Sequence, residues 1–103
     1  LDRTLLSMQK RPIQAGRPAG ATTFDAELAQ AFGAAVRALR SEQGMAQEAL
    51  AHRAGIERSH MGKIERGEHI PSLPLIFKIA AALECGATDL MAATEAQLGS
   101  TAA

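Results

Sequence analysis

The chain has 103 residues, enough for one domain with a modest core and flanking segments. Nearly half of its residues are apolar, mainly Ala and Leu with few aromatics, and this composition favours a compact all-α domain. The formal net charge of zero argues against a strongly basic nucleic-acid binder. A single cysteine excludes an internal disulfide and fits a reducing cytoplasm, and no apolar run reaches the ~18 residues that cross a membrane.

Residues 1–22 are expected to form a basic N-terminal segment, with a short helix that stops at Pro12. Its four cations outnumber its single acid, Asp2: Arg3, Lys10, Arg11 and Arg17. Three hypotheses stay open for this segment. It is an arm that follows a DNA backbone, a clasp on a second subunit, or a leader without a fixed role.

The domain itself is expected to span residues 23–98, and its first helix should begin after Thr22 or Thr23 and end at Gly44. Asp25 would lie in the first turn, where the helix dipole favours an acid. The apolar residues of this helix recur at the spacing of a buried stripe: Leu28, Phe32, Ala35, Val36 and Leu39. One face of the helix is therefore predicted to pack in the core.

Residues 45–67 have the pattern of a helix-turn-helix. A short helix is predicted over Gln47–Ala54, and Gly55 should turn the chain with positive φ, which only glycine adopts cheaply. A second short helix is predicted at about Arg58–Arg66, with Met61 and Ile64 turned inward. Its outward residues are basic or small: Arg58, Ser59, Gly62 and Lys63. A short helix with this outer face has the shape that enters a DNA major groove.

Two more helices complete the predicted five-helix fold, and no strand pattern occurs. Ser72 can cap the fourth helix, Pro74 is tolerated in its first turn, and Gly86 should end it. The fifth helix should start at Thr88 or one residue later. Residues 99–103 are expected to be a frayed C-terminal tail.

From Phe32 to Met91 the chain resembles the DNA-binding domains of phage repressors, the Cro/cI-like or XRE family. Five fragments in this order and spacing bear the resemblance: VRALR (36–40), QEALAHRAGI (47–56), MGKIERG (61–67), IPSL (70–73) and KIAAAL (78–83). The resemblance implies a lambda-repressor-like fold and a homodimer on a two-fold site in double-stranded DNA. The implied function is a cytoplasmic transcriptional regulator, with repression favoured over activation.

The resemblance also implies a role for individual residues. The implied base-contacting residues, on the third helix, are Arg58, Ser59 and Lys63. The implied contacts to the DNA backbone come from Gln47, His60 and Arg66. Arg40 and Glu65 match an internal ion pair of the family, so Glu65 is assigned to structure rather than to base recognition.

Two positions depart from the family pattern. Ala46 stands where the family usually has Ser or Thr as an N-cap, so that cap is lost at a cost of ~1 kcal/mol. Glu57 stands where a small capping residue is common, and an exposed acid there repels phosphates. Both departures bear on the expected DNA affinity rather than on the identity of the fold.

Other chemistries have weaker support. The candidate metal ligands match no zinc spacing: His52, His60, His69 and Cys85. No spacing of nucleophile and base indicates catalysis, so neither an enzyme nor a cofactor is expected. The alternative function is an antitoxin or another interaction module, with a toxin as partner and DNA binding secondary. A restriction–modification controller would share the DNA chemistry.

The resemblance favours dimerisation through the fifth helix and its surroundings, but two interpretations of the apolar residues there stay open. Leu90, Met91 and Leu98 form one side of a dimer seam, or they close the core of a single domain.

Overall fold

The computed structural model describes residues 24–102, with side chains described up to residue 99. Within this range the chain forms five α-helices: α1 (Ala26–Glu42), α2 (Gln47–Ala54), α3 (Arg58–Glu65), α4 (Leu73–Ala82) and α5 (Ala87–Ala102). No strand occurs among these residues, so the predicted all-α five-helix fold is confirmed. The basic segment predicted at residues 1–22 lies outside the described residues.

All five helices contribute to the packing of the domain, and α2 and α3, with 8 residues each, are shorter than the ~12–15 residues that an isolated helix needs in water. α1 packs against α3 and α5, α2 packs against α3 and α4, and α4 closes on α5. The largest side chains without solvent contact are Val36, Leu50, Met61, Ile64, Ile79, Leu83 and Leu90. Burying each such side chain contributes about 1.5–3 kcal/mol, which is what holds the eight-residue α2 and α3 in helical form. None of the helices within residues 24–102 combines the length and apolarity needed to cross a membrane.

The start of α1 differs from the prediction. Asp25 is the N-cap itself, because its carboxylate accepts a hydrogen bond from the Leu28 N–H at 2.9 Å. Leu28, predicted in the buried stripe, is 39% exposed, and burial begins at Ala29. The helix register turns Ala29 rather than Leu28 towards the core. The predicted starting points, Thr22 and Thr23, lie outside the described residues.

The end of α4 also differs from the prediction. α4 stops at Ala82, four residues before the glycine that was expected to end it. Glu84 adopts the left-handed conformation with φ of 59°, and the Cys85 N–H donates to the Ala80 carbonyl at 3.0 Å. A non-glycine residue therefore reverses the chain here. The Ser72 cap and the place of Pro74 in the first turn are both confirmed.

α5 is longer than predicted at both ends. It begins at Ala87. The preceding residue, Gly86, donates its backbone N–H to the Asp89 carboxylate at 2.9 Å, and this hydrogen bond stabilises the start of the helix. It continues to Ala102, so residues 99–102, expected to be part of a frayed tail, are helical.

α1 and α3 approach each other backbone to backbone at Gly33. A Cβ atom at this position would overlap the Ile64 carbonyl oxygen and lie 2.6 Å from the Glu65 carbonyl oxygen. The side chain of any other residue would push α1 off the C-terminal end of α3. Gly33 therefore sets the position of α3, and the sequence pattern did not single it out.

Candidate nucleic-acid interface

α2 and α3 are joined by the tight turn that the sequence predicts. Gly55 caps α2 with φ of 77°, so the predicted positive φ is confirmed. The Ile56 N–H donates to the Ala51 carbonyl at 3.0 Å and closes the turn. Ala51 is buried, and its small side chain fits where the two helices cross. The turn holds α3 with its outer face in solvent.

That outer face borders an open depression with a volume of about 480 Å³ between the start of α2 and α3. Its lining residues are Gln47, Glu57, Arg58, Ser59, Gly62, Lys63 and Arg66. Five of the six residues predicted to contact DNA therefore share one concave surface. The sixth, His60, is half-buried and does not line it.

Positive side chains outnumber negative ones in the lining of the depression, although the formal net charge of the whole chain is zero. Arg58, Lys63 and Arg66 line it against one carboxylate, Glu57. Because interactions of exposed charges fade within about 8–10 Å at physiological salt, the local balance matters more for binding than the total.

The N-termini of α2 and α3 both face solvent without a side-chain cap. In the described part of the chain, neither Ala46 nor Glu57 makes a capping hydrogen bond. The loss of the cap at Ala46 is therefore as predicted. The first backbone N–H groups of both helices lack intrahelical partners, as at any helix start, and so remain available to an acceptor in solution or on a ligand.

Arg66, predicted to contact phosphate, forms an ion pair with Glu68, two residues along the chain. Glu68 accepts hydrogen bonds from Nε of Arg66 at 2.9 Å and from its NH2 group at 3.3 Å. This hydrogen bonding raises the pKa of the Arg66 guanidinium. It also lowers the pKa of the Glu68 carboxyl, with a smaller contribution from Lys63. Both side chains are more than half exposed, so the pair stays accessible to solvent.

Gly62 was predicted to face outward, and the structure places it beneath other side chains. A Cβ atom here would lie 3.0 Å from the NH1 group of Arg66 and 3.6 Å from the Oε1 atom of Gln47. Gly62 is therefore buried at the floor of the depression rather than exposed on its rim.

The predicted ion pair between Arg40 and Glu65 is present and buried. Arg40 donates to the Glu65 carboxylate through Nε at 2.7 Å and through NH2 at 3.0 Å. The exposed fractions of the two side chains are only 14% and 3%. The hydrogen bond to Glu65 raises the pKa of Arg40 even though burial opposes the charge. NH1 of Arg40 also donates to the Met45 carbonyl at 2.8 Å, which ties α1 to the loop before α2.

Gln47 links this ion pair to the depression. Its Nε2 atom donates to Oε1 of Glu65 at 3.0 Å, so one of its two amide hydrogens is occupied inside the protein. The other amide hydrogen and the carbonyl oxygen remain for a ligand. Gln47 was predicted only as a contact to the DNA backbone, so its bond to Glu65 is an additional finding.

The structure brings together two of the four residues considered as metal ligands. The rings of His60 and His69 meet edge to face, with centroids 4.8 Å apart. Among residues 24–102 no group of three or more His, Cys, Asp or Glu side chains converges on a point that could hold an ion. Cys85 is a half-buried free thiol, and burial, followed by the Asp89 carboxylate, raises its pKa.

Large apolar side chains are exposed at the start of α4, and on α5 at Met91. Leu73 and Phe77, one helical turn apart, are 66% and 57% exposed, and Ile70 precedes them in the chain. Leu90, in contrast, is fully buried in the core. Of the α5 residues considered as a seam, Met91 is exposed and Leu98 half-buried.

Comparisons with known proteins agree with this geometry. The HTH_3 family model, described as helix-turn-helix, matches residues 36–90. The HTH-type transcriptional regulator YazB of Bacillus subtilis, itself uncharacterized, is 39% identical over 62 residues. That match covers 60% of this chain and 90% of YazB.

Solved structures of regulators share the fold. The clp gene regulator ClgR from Corynebacterium glutamicum superposes with a TM-score of 0.70 at 25% identity, over 73% of this chain and 80% of ClgR. The restriction–modification controller protein C.AhdI from Aeromonas hydrophila superposes with a TM-score of 0.59 at 40% identity. That superposition covers 60% of this chain and 94% of C.AhdI.

Proposed function

The chain belongs to the HTH_3 helix-turn-helix family, and we propose that it represses transcription as a homodimer bound to a two-fold DNA operator. It is a transcriptional regulator with a helix-turn-helix DNA-binding domain. The observation that supports the finer proposal is the depression on α3, where five residues suited to DNA contacts converge.

Base recognition is assigned to the exposed face of α3. Arg58 and Ser59 are exposed in its first turn, and Lys63 is exposed just over one turn later. Arg58 and Lys63 can donate to guanine O6 and N7, and a good contact of this kind is worth about 1–3 kcal/mol of discrimination between bases. Ser59 can donate or accept, so it suits either kind of base edge.

Contacts to the DNA backbone are assigned to the margins of the depression. Gln47 retains one amide hydrogen, Arg66 is exposed at the end of α3, and His60 is half-buried outside the lining of the depression. The uncapped N-termini of α2 and α3 add backbone N–H groups, and a helix N-terminus attracts phosphate through its dipole. These contacts would position the protein, while α3 reads the sequence.

The dimer is proposed to form through the start of α4. Leu73 and Phe77, one helical turn apart, are the most exposed large apolar side chains of the described residues, and exposed apolar surface marks sites that meet a partner. Replacing Phe77 with serine should lower the apparent mass in sedimentation equilibrium at micromolar concentration. Met91→Ser is the matched control on α5. Dissociation by the control and not by Phe77→Ser would move the interface to α5.

Selection from a random-sequence duplex library tests operator binding directly. Wild-type protein should enrich a palindrome whose half-sites lie about one helical turn apart, and the Arg58→Ala, Lys63→Ala variant should not. Lys78→Ala is the matched control, because it removes an exposed cation on α4 that does not line the depression.

The outcomes of this selection separate the hypotheses. Salt-sensitive binding without an enriched sequence would leave only phosphate attraction and would refute an operator-specific regulator. If the chain binds no DNA and a second protein copurifies with it, the antitoxin alternative would be favoured. The three relatives described above give that alternative no support.

A narrower second candidate is a restriction–modification controller. It is favoured by the 40% identity with C.AhdI over 94% of that protein. An enriched operator that occurs upstream of adjoining nuclease and methyltransferase genes would support it. An operator that occurs elsewhere would leave the general proposal of a repressor in place and remove this one.

A further inference from the structure

Arg66 ends the recognition surface of α3, and one of the two anion-binding edges of its guanidinium is already occupied. Nε and NH2 form one such edge, which can bind a carboxylate or a phosphate with two parallel hydrogen bonds. In this protein both atoms donate to Glu68. We propose that Glu68 competes with DNA phosphate for Arg66 and thereby lowers the affinity of the protein for its operator. This inference rests on the proposed function.

The rest of the Arg66 side chain points into the DNA-binding depression. Its NH1 group lies above Gly62, 3.0 Å from where a Cβ atom of residue 62 would be. Arg66 is therefore directed at the place where DNA is expected, with its outer edge turned to Glu68. A DNA phosphate can bind to Nε and NH2 of Arg66 together only by displacing the Glu68 carboxylate.

Backbone contacts fix the main chain of Glu68 close to Arg66. Gly67 has φ of 77° and packs against Gln30 of α1, where a Cβ atom would lie 2.6 Å from the Gln30 Cγ atom. The Glu68 N–H donates to the Lys63 carbonyl at 2.8 Å. These contacts turn the chain after α3 and return the Glu68 side chain to Arg66.

Glu68 also reduces the net charge that DNA would meet. Three cations line the depression, and Glu57 within it and Glu68 beside it oppose them. Lys63 contributes to the lowered pKa of Glu68, so this carboxylate acts on a second cation of the depression. Removing the charge of Glu68 would raise the formal local balance from +1 to +2, the sum of three cations and one remaining acid.

The size of the effect follows from the exposure of the pair. An exposed ion pair shifts an equilibrium by a small factor, so Glu68→Gln should tighten operator binding about two- to fivefold. A released Arg66 would neutralise one more phosphate. The slope of log K against log salt should therefore become steeper by about 0.9.

A double-mutant cycle tests the proposal, with dissociation constants measured between about 50 and 200 mM salt on the duplex selected by the wild type. Its members are wild type, Glu68→Gln, Arg66→Ala and the double variant. Glu95→Gln is the matched control, since Glu95 is exposed on α5 and does not line the depression. Glu68→Gln should tighten binding, and this gain should vanish in the Arg66→Ala background.

Two outcomes would overturn the inference while the proposed function stands. In the first, the wild type binds its operator and Glu68→Gln has no more effect than Glu95→Gln. In the second, the gain persists without Arg66, so that Glu68 acts only by general repulsion of phosphates. If the wild type and every variant fail to bind duplex DNA, the proposed function fails and this inference fails with it.

Discussion

Replacing Gly33 with alanine should destabilise the domain, although alanine inside a helix is normally better than glycine by about 1 kcal/mol. The added methyl group would overlap the Ile64 carbonyl oxygen and come within 2.8 Å of the Glu65 carbonyl carbon. These are backbone atoms, which cannot rotate away as a side chain can. α1 and α3 must separate instead.

The expected magnitude follows from these opposing effects. Overpacking of this kind costs about 1–3 kcal/mol or more, and backbone obstruction places Gly33→Ala at the upper end. After the gain in helix propensity is subtracted, we expect the free energy of unfolding to fall by about 2 kcal/mol. For a domain of this size that corresponds to a fall of roughly 8–16 °C in Tm.

Gly99→Ala is the matched control for this experiment. Gly99 is also helical, but a Cβ atom there meets no other atom within 4 Å. The same substitution should therefore leave stability unchanged or raise it by up to about 1 kcal/mol. Both variants can be compared by thermal and urea unfolding followed by circular dichroism. If Gly33→Ala unfolds at or above the wild-type temperature, the backbone contact between α1 and α3 is not as described.

Three further predictions concern the ion pair, the missing cap and the thiol. Arg40→Met should cost about 3–5 kcal/mol in urea unfolding, because it leaves the Glu65 carboxylate buried without its main partner. Replacing both residues with methionine should cost less, and a larger loss in the double variant would contradict this. Ala46→Ser should add about 0.5–1 kcal/mol by capping α2, and an unchanged urea midpoint would count against a missing cap. Iodoacetamide should modify Cys85 more slowly in the folded protein than in urea at pH 8, because a raised pKa leaves less thiolate; equal rates would contradict the burial of the thiol.

The helix-turn-helix was predictable because its determinants are local. Gly55 takes its positive φ from the turn itself, and α2 has the bounds that the apolar spacing predicts. The ion pair between Arg40 and Glu65 was foreseen through the family resemblance rather than from spacing. Helix ends were less predictable, because more than one residue near the end of a helix can reverse the chain. Gly86 was expected to end α4, but Glu84 reverses the chain two residues earlier.

The partners of the binding residues were not predictable. Arg66 and Glu68 are two residues apart, a spacing that faces opposite sides in a regular helix. They meet because Gly67 turns the chain, and the position of Gly67 depends on its contact with α1. Gln47 likewise reaches Glu65 only because α2 and α3 are packed together.

The sequence by itself determined the number and type of helices within residues 24–102, the turn between α2 and α3, and the exposure of Arg58, Ser59 and Lys63 on α3. These features follow from dihedral preferences and helical periodicity, which act over a few residues. The tertiary structure decided how closely α1 approaches α3 at Gly33, which apolar residues stay exposed on α4, and which cations of the interface already have an acid beside them. Those features depend on distances between segments that are far apart in the chain, and only the packed domain defines such distances.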